Sequence, residues 1–404
     1  MSVYLDHAAT TPVHPAVVEA MTAELGRLGN PSSLHDAGRA ARRVVEESRE
    51  AVAAHLGARP SEVVLTAGGT EADNLAVKGV WWAQVARDPA RRRVVVSAVE
   101  HHAVLDPAAW LAAQQGAEVV LLPVDATGRV DVDALADELA RHGDRTALVS
   151  VMWANNEVGT VQPVRAVADL VHEHGVPLHV DAVQAVGQLD VDFAASGADA
   201  LTVSAHKVGG PVGVGALLAR RDLPLAPLTH GGGQERGVRS GTVDVVGARA
   251  LAVALGLAVP ARAVEGARLA ALRDDLVRRV QEVVPDAVLR GPTVPDVPGG
   301  TDPSIPDDGP RRLPANAHLT FPGCEGDSLL YLLDSRGVRC STGSACRAGV
   351  PQPSHVLTAM GVDARDARGA LRFSLGRTTT RADVDALVAV VPEVVERARA
   401  AGRA

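Results

Sequence analysis

Only two of the 40 Lys and Arg residues are lysines, Lys78 and Lys207. Lys207 closes the run Thr202-Val203-Ser204-Ala205-His206-Lys207 and is followed by Gly209, Gly210, Gly213 and Gly215. An amine placed after a predicted strand, with Ser and His beside it, can form a Schiff base with a cofactor aldehyde. Asp181 ends an earlier apolar run, Val176-Pro177-Leu178-His179-Val180. Taken alone it is equally an acid that caps the next helix. Paired with Lys207, it is the carboxylate that keeps a pyridine nitrogen protonated, so that the ring accepts electrons from a deprotonated substrate carbon. Gln184, three residues further on, is in reach of a ring hydroxyl.

Gly68-Gly69-Thr70-Glu71 follows the apolar run Val63-Val64-Leu65 and opens a predicted helix. Free backbone amides with a hydroxyl beside them suit a phosphate, although Thr before an acid is also an ordinary helix start. The run Gly231-Gly232-Gly233-Gln234-Glu235-Arg236-Gly237 has Arg where a dinucleotide fingerprint needs its third glycine, and no G-x-x-x-x-G-K-[ST] occurs. Nicotinamide and ATP chemistry therefore lose their main support. Glu100-His101-His102 follows Val94-Val95-Val96-Ser97. A histidine there can stack on a flat cofactor and move protons; a surface role or metal ligation is equally open to it. Ser341-Thr342-Gly343-Ser344-Ala345-Cys346-Arg347-Ala348-Gly349 sets a cysteine among small residues that let the segment swing. Arg347 favours the thiolate of a side chain whose ordinary pKa is about 8.5. Cys324 and Cys340 fit the commoner role of an inert buried thiol. In Ala370-Leu371-Arg372-Phe373-Ser374-Leu375, alternation puts Arg372 and Ser374 on one face. That face is either solvent or a pocket wall where a guanidinium clamps a carboxylate.

These residues need strand ends to hold them. From about residue 60 to 220, short Val/Leu-rich runs alternate with longer amphipathic segments, the pattern of an α/β domain with a mostly parallel sheet. Ligands of such sheets bind outside the carboxyl ends of the strands. A helical pattern over 243–284 is expected to be interrupted at Pro260, and residues 291–314, rich in Pro, Gly and Asp, read as a mobile surface loop. A strand (317–321), a helix (327–336), the cysteine segment and a strand (369–375) follow, then a helix over 381–399 that Pro392 should break or kink. This second part reads as a smaller α+β domain.

At 404 residues with a net charge of -8 and nine aromatic side chains, the chain has neither a basic stripe nor the stacking platforms of a nucleic-acid reader. No secretory signal is evident at the start, and the apolar stretch near 250–259, ending at Pro260, is too short to span a bilayer. Three cysteines make neither an even disulfide framework nor paired zinc ligands, so no metal site is expected and a reducing cytoplasm fits best.

Taken in order, several segments carry a resemblance: Tyr4-Leu5-Asp6-His7-Ala8-Ala9-Thr10-Thr11, Gly29-Asn30-Pro31-Ser32-Ser33-Leu34-His35, Gly69-Thr70-Glu71, Glu100-His101, Asn155-Asn156-Glu157-Val158-Gly159, Asp181-Ala182-Val183-Gln184, Ser204-Ala205-His206-Lys207, Arg239-Ser240-Gly241-Thr242, Ser344-Ala345-Cys346 and Arg372-Phe373-Ser374-Leu375-Gly376-Arg377. Each is weak alone, but the ordered set resembles the pyridoxal-phosphate-dependent cysteine desulfurases of the fold-type I, class V aminotransferase-like superfamily over nearly the whole chain. The Ser-Thr-Gly-Ser-Ala-Cys form is similar to the housekeeping, long-loop group.

The resemblance implies an α/β, fold-type I transferase with a large domain over 15–260, built on a mostly parallel seven-stranded sheet, and a smaller α+β domain over 1–14 and 261–404. It implies that Lys207 holds pyridoxal 5'-phosphate, Asp181 meets its ring nitrogen, Gln184 its phenolic oxygen, and His101 stacks on the ring. Thr70, Ser204 and His206 would bind the phosphate, and Thr242 the phosphate of the neighbouring subunit in a homodimer. Asn156 would serve both cofactor and substrate, and Arg372 the substrate carboxylate. L-cysteine would become L-alanine, with the sulfur held as a persulfide on Cys346 for an acceptor protein, either an iron-sulfur scaffold or a tRNA-thiolating enzyme. Ala205 stands where the family often has Gly, and the Pro-rich insert is longer than expected. Two other readings stay open: a transaminase or β-lyase with Cys346 structural, and a Cys/His metal-binding or redox-regulatory protein.

Overall fold

A computed structural model of the protein describes residues 2–293, 311–343 and 353–401. The amino end supplies a two-residue strand, β1 (Val3–Tyr4). Seven strands then build the main sheet: β2 (Val63–Thr66), β3 (Arg93–Ser97), β4 (Glu118–Leu122), β5 (Thr146–Ser150), β6 (Leu178–Asp181), β7 (Ala200–Ser204) and β8 (Gly215–Ala219). Their order is β2-β8-β7-β6-β5-β3-β4. Every neighbouring pair is parallel except those made by β8, which runs antiparallel to β2 and β7. The mostly parallel sheet read from the sequence is therefore present. Every residue of β5, β6 and β7 is buried, as expected for strands covered by helices on both faces, whose sequences read as runs rather than as alternation.

A second core gathers around a three-stranded antiparallel sheet, ordered β12-β10-β9, of β9 (Val288–Leu289), β10 (Asn316–Thr320) and β12 (Ala370–Ser374). Beside it, β11 (Val338–Arg339) pairs in parallel with β1. Phe321, Phe373 and Leu387 pack here, joined by Val3 and Leu5 from the amino end.

Four expectations need correction. The helix expected to be interrupted at Pro260 runs unbroken from Val245 to Val283. Pro260 is exposed, so the amide it lacks is missing on the open side. Leu251 and Leu255 are fixed in the main core and Leu269 and Leu276 in the second, and this packing offsets an interior proline's cost of about 3 kcal/mol. The same helix is long and apolar enough by composition to cross a bilayer, so the length argument made from the sequence fails; part of its apolar surface packs into these two cores. Exposed Pro392 likewise lies inside an unbroken helix, Arg381–Ala401. Finally, the end of the supposed surface loop is interior: Arg312 and Leu313 are buried, and Leu313 N–H donates to Gly159 O at 2.7 Å. The rest of that insert, 294–310, lies outside the described residues.

Candidate active site

The carboxyl ends of β2, β3, β5, β6 and β7 open on one cavity of about 380 Å³, within the usual range of about 300–1,000 Å³ for small-ligand sites. Lys207 enters it from a single 3₁₀ turn, Ala205–Lys207, directly after β7. Its Nζ donates to the carbonyls of Ala8 (2.5 Å) and Ala9 (2.9 Å). Burial and the nearby Arg372 push the ammonium down to about 8, against the pull of Asp181 and Asp6. A lysine so placed is partly free amine near neutral pH, the nucleophilic form.

Asp181 ends β6 with its Oδ1 accepting the Val183 N–H at 2.9 Å. Burial raises its carboxyl to about 6, opposed by that N–H and by Lys207. Gln184 reaches the same cavity while its Nε2 donates to Ala8 O at 2.9 Å. Helix Gly69–Arg87 aims its first turn here. Its N-cap, Gly68, has φ 140° and no side-chain cap, which leaves the first amides available beside Thr70. Added at Gly69, a Cβ would come within 3.0 Å of Val183 Cγ2. Ser204 and His206 line the same space.

His101 caps helix His102–Gln115, its Nδ1 accepting the Ala103 N–H at 3.1 Å. Its proton therefore belongs on Nε2. Desolvation, with Lys207 next in importance, pushes the ring down to about 4. It is a neutral imidazole at pH 7, not the half-charged shuttle expected from an ordinary histidine. Asn155 and Asn156 divide their work. Asn155 is fully buried and ties its own turn, accepting from Glu157 and Val158 N–H. Asn156 lines the cavity, and its carbonyl accepts from Arg372 Nη1 at 2.9 Å. Arg372 is a buried pocket wall and not a solvent-facing residue. Its Nη2 pairs with Asp6 Oδ1 at 2.8 Å, and its Nε has no partner among the described residues.

The sequence profile of the class V aminotransferases matches residues 3–285 and 305–387. An IscS-like cysteine desulfurase of Mycobacterium tuberculosis is 57% identical, over 99% of this chain and 98% of its own length. The chain belongs to the cysteine desulfurase family. The cysteine desulfurase IscS of Dictyoglomus turgidum is 41% identical over 98% of this chain and 95% of its own. Among solved structures, a NifS-like protein superposes with a TM-score of 0.87 at 35% identity, covering 98% of this chain and 100% of that one. SspA in complex with cysteine superposes with a TM-score of 0.76 at 32% identity, covering 93% and 99%. Members of this family are pyridoxal-phosphate-dependent enzymes.

Two expected desulfurase residues are not in the assembled group. Thr242 lines a separate cleft of about 70 Å³ with Thr66, Gly213 and Arg239. Cys346 lies outside the described residues, although Ser341 and Gly343, just before it, line the cavity. Cys324 and Cys340 are buried, and burial raises both thiols. Sequence reasoning missed Asp6, the carbonyls of Ala8 and Ala9, and Asp73. Asp73 had a signal: at spacings of three, four and seven it is in line with Ala76, Val77 and Val80, all buried, so it is an acid in an apolar helical stripe.

Proposed function

We propose that this cavity holds pyridoxal 5'-phosphate on Lys207 and converts L-cysteine to L-alanine, with Cys346 receiving the sulfur. The observation that carries the reading is the meeting of Lys207, Asp181 and the uncapped turn at Thr70 in one cavity. These residues fit the cofactor: an amine partly deprotonated, a buried acid at one end, and free amides with the hydroxyls of Thr70 and Ser204 where a phosphate would sit. Gln184 would contact the phenolic oxygen and His101 would stack on the ring. Bound there, the cofactor supplies an electron sink for the substrate carbon that bears the amine.

The chain's own groups do the rest. Arg372 orients the substrate carboxylate beside Asn156, and the Asp6 contact holds the guanidinium ready. Once released, the Lys207 amine takes the proton from the substrate carbon. The Cys346 thiolate forms an S–S bond to the substrate sulfur as the C–S bond breaks. The bonding pair stays on carbon, and protonation there completes alanine. The persulfide then passes to an acceptor protein, an iron-sulfur scaffold or a tRNA-thiolating enzyme, in the cytoplasm. Thr242 serves the phosphate site of a second copy in a homodimer, and the large domain spans 15–260, with 1–14 and 261–404 forming the small one.

The test supplies L-cysteine with a reductant, measures alanine and sulfide, and locates the persulfide by mass spectrometry. Absence of alanine refutes the reaction. Cys346→Ser should keep cofactor absorbance and lose sulfide; normal turnover by that variant favours the transaminase or β-lyase reading.

A further inference from the structure

Three carboxylic acids are buried under one end of the cavity, and only Asp181 has a role so far. Asp73 projects from the first turns of helix Gly69–Arg87 and Glu100 follows β3; they are 1% and 0% exposed. Hydrogen-bond accounting separates them from an ionised carboxylate, which needs donors on both oxygens when cut off from water. Glu100 Oε1 accepts the Met152 N–H at 2.5 Å, but Oε2 has no partner among the described residues. Asp73 Oδ1 also has no hydrogen-bond partner among them, and His179 Nε2 stands 3.5 Å away. A neutral acid leaves only an unpaired polar atom in this geometry, whereas a second and a third buried anion beside Asp181 would each leave an uncompensated charge.

His179 is two residues before Asp181 on β6, so both point to the same face of the sheet. Its Nδ1 meets Ser150 Oγ at 2.8 Å and its Nε2 meets Thr202 Oγ1 at 3.0 Å. The Thr202 hydroxyl also stands beside the Asp73 carboxyl, close enough to act on its ionisation. The result is one chain of groups, Asp73, Thr202, His179 and Ser150, whose donors can all point one way or all the other. Burial keeps His179 neutral, so the charge of Asp73 decides the direction.

We propose that Asp73 is a neutral acid and a positioning residue: its O–H donates to Thr202, Thr202 donates to His179 Nε2, and His179 Nδ1–H donates to Ser150. This fixes His179 next to Asp181 and leaves Asp181 the single carboxylate charge at that end of the cavity. Burial and then the charge of Asp181 raise the Asp73 carboxyl well above its ordinary value against the opposing pull of Thr202, and they raise Glu100 against that of the Met152 amide. The titratable groups about Asp73 are His179 and Asp181 on β6 and Glu100 after β3, with His101 and Lys207 across the cavity. The role toward Asp181 rests on the cofactor reading above, whereas the protonation of Asp73 does not.

Infrared spectroscopy of the cofactor-free protein at slightly alkaline pH tests the protonation directly. The wild type should show the carbonyl band of protonated carboxylic acids, and Asp73→Asn should lose part of it without losing carboxylate intensity. Loss of carboxylate intensity instead overturns the proposal. If D73N does not fold, wild-type protein with carbon-13 in its aspartate carboxyls keeps the question open to decision: absence of an isotope-shifted acid band refutes it. The positioning role is read from the pH midpoint of the bound cofactor's visible absorbance. D73N still donates to Thr202 and should keep the wild-type midpoint, while D73L, which cannot donate, should move it. A D73N shift of about one unit, expected when a charge is removed close by, overturns the neutral-acid assignment. An equal midpoint in D73L and wild type overturns the positioning role. Protein that binds no cofactor counts against the proposed function and leaves the infrared result standing.

Discussion

Two cavities of nearly equal size lie back to back, about 380 Å³ at the strand ends and about 370 Å³ behind them, with Ala8, Gln184 and Lys207 lining both. Volume does not distinguish them. The rear cavity is lined by Leu257, Ala258, Leu269, Leu313 and Leu375, and its charged groups are already engaged. Glu265 pairs with Arg268, and Arg377 donates to the carbonyls of Pro12 and Val13. The front cavity gathers Asp181, His101, His206 and Arg372 around the same lysine. A site is made by polar groups that converge with their chemistry still to be used, and the Ala8 and Ala9 carbonyls decide which cavity receives the amine.

The sharpest break of this comparison is Lys207→Ala. It should abolish borohydride trapping of cofactor on the chain and lower alanine production by roughly 10⁴-fold, the upper range for losing a positioned acid-base group. Retained turnover would mean that the amine common to both cavities has no chemical role. Next in size is Arg372→Lys. An ammonium cannot replace the fork that spans Asn156 O and Asp6. We expect kcat/KM for cysteine to fall by about 10² with most of the loss in KM, since the contact is to a carboxylate that does not react. A pure kcat loss would place Arg372 at the reacting bond instead.

A smaller effect concerns pH. With Lys207 lowered to about 8 by burial, the rate at which cofactor-free protein takes up pyridoxal phosphate should rise about tenfold per unit below that value and level off near it. A rise that continues toward the ordinary lysine range would show the amine to be solvated. The same group sets a stability trend. Between pH 8 and 10.5 the unfolded chain still holds this proton while the folded chain has released it, so the group's contribution to stability rises with pH over that window. Asp181 acts below it. Its folded carboxyl, raised to about 6 from 3.8, binds a proton that the unfolded chain has lost, so its contribution falls as pH rises through that interval.

The legible part of the site is the part that follows strand ends. Asp181, Ser204 and Lys207 terminate apolar runs, and a parallel sheet brings all such ends to one edge whatever the loops do. Pairings across the chain left less trace. Asp6 meets Arg372 over a separation of 366 residues, and nothing local marks either as the other's partner. Pro260 misled because propensity is local, whereas the long helix is held by two cores at a distance. Thr242 was chosen by motif alone, and a single chain does not bring it to the cavity.

The smallest predicted effect is also the cleanest test of whether the two cavities are functionally separate. Ala258 lines only the rear one, from the long helix, opposite Gly187. Ala258→Leu adds apolar volume beside Leu257, Leu269 and Leu375 of the same wall. Burying the added carbons at about 0.8 kcal/mol each, less what an open cavity forfeits, should leave a gain of about 1 kcal/mol. Desulfurase activity should stay within about a factor of two, because the variant touches none of the groups that converge on the front cavity. A large loss of activity with cofactor still bound would show that the rear space is needed for turnover, most directly because Lys207 or Gln184 must move into it. In that case the wall that both cavities have in common is a moving part, and the Ala8 and Ala9 carbonyls hold only one of its positions.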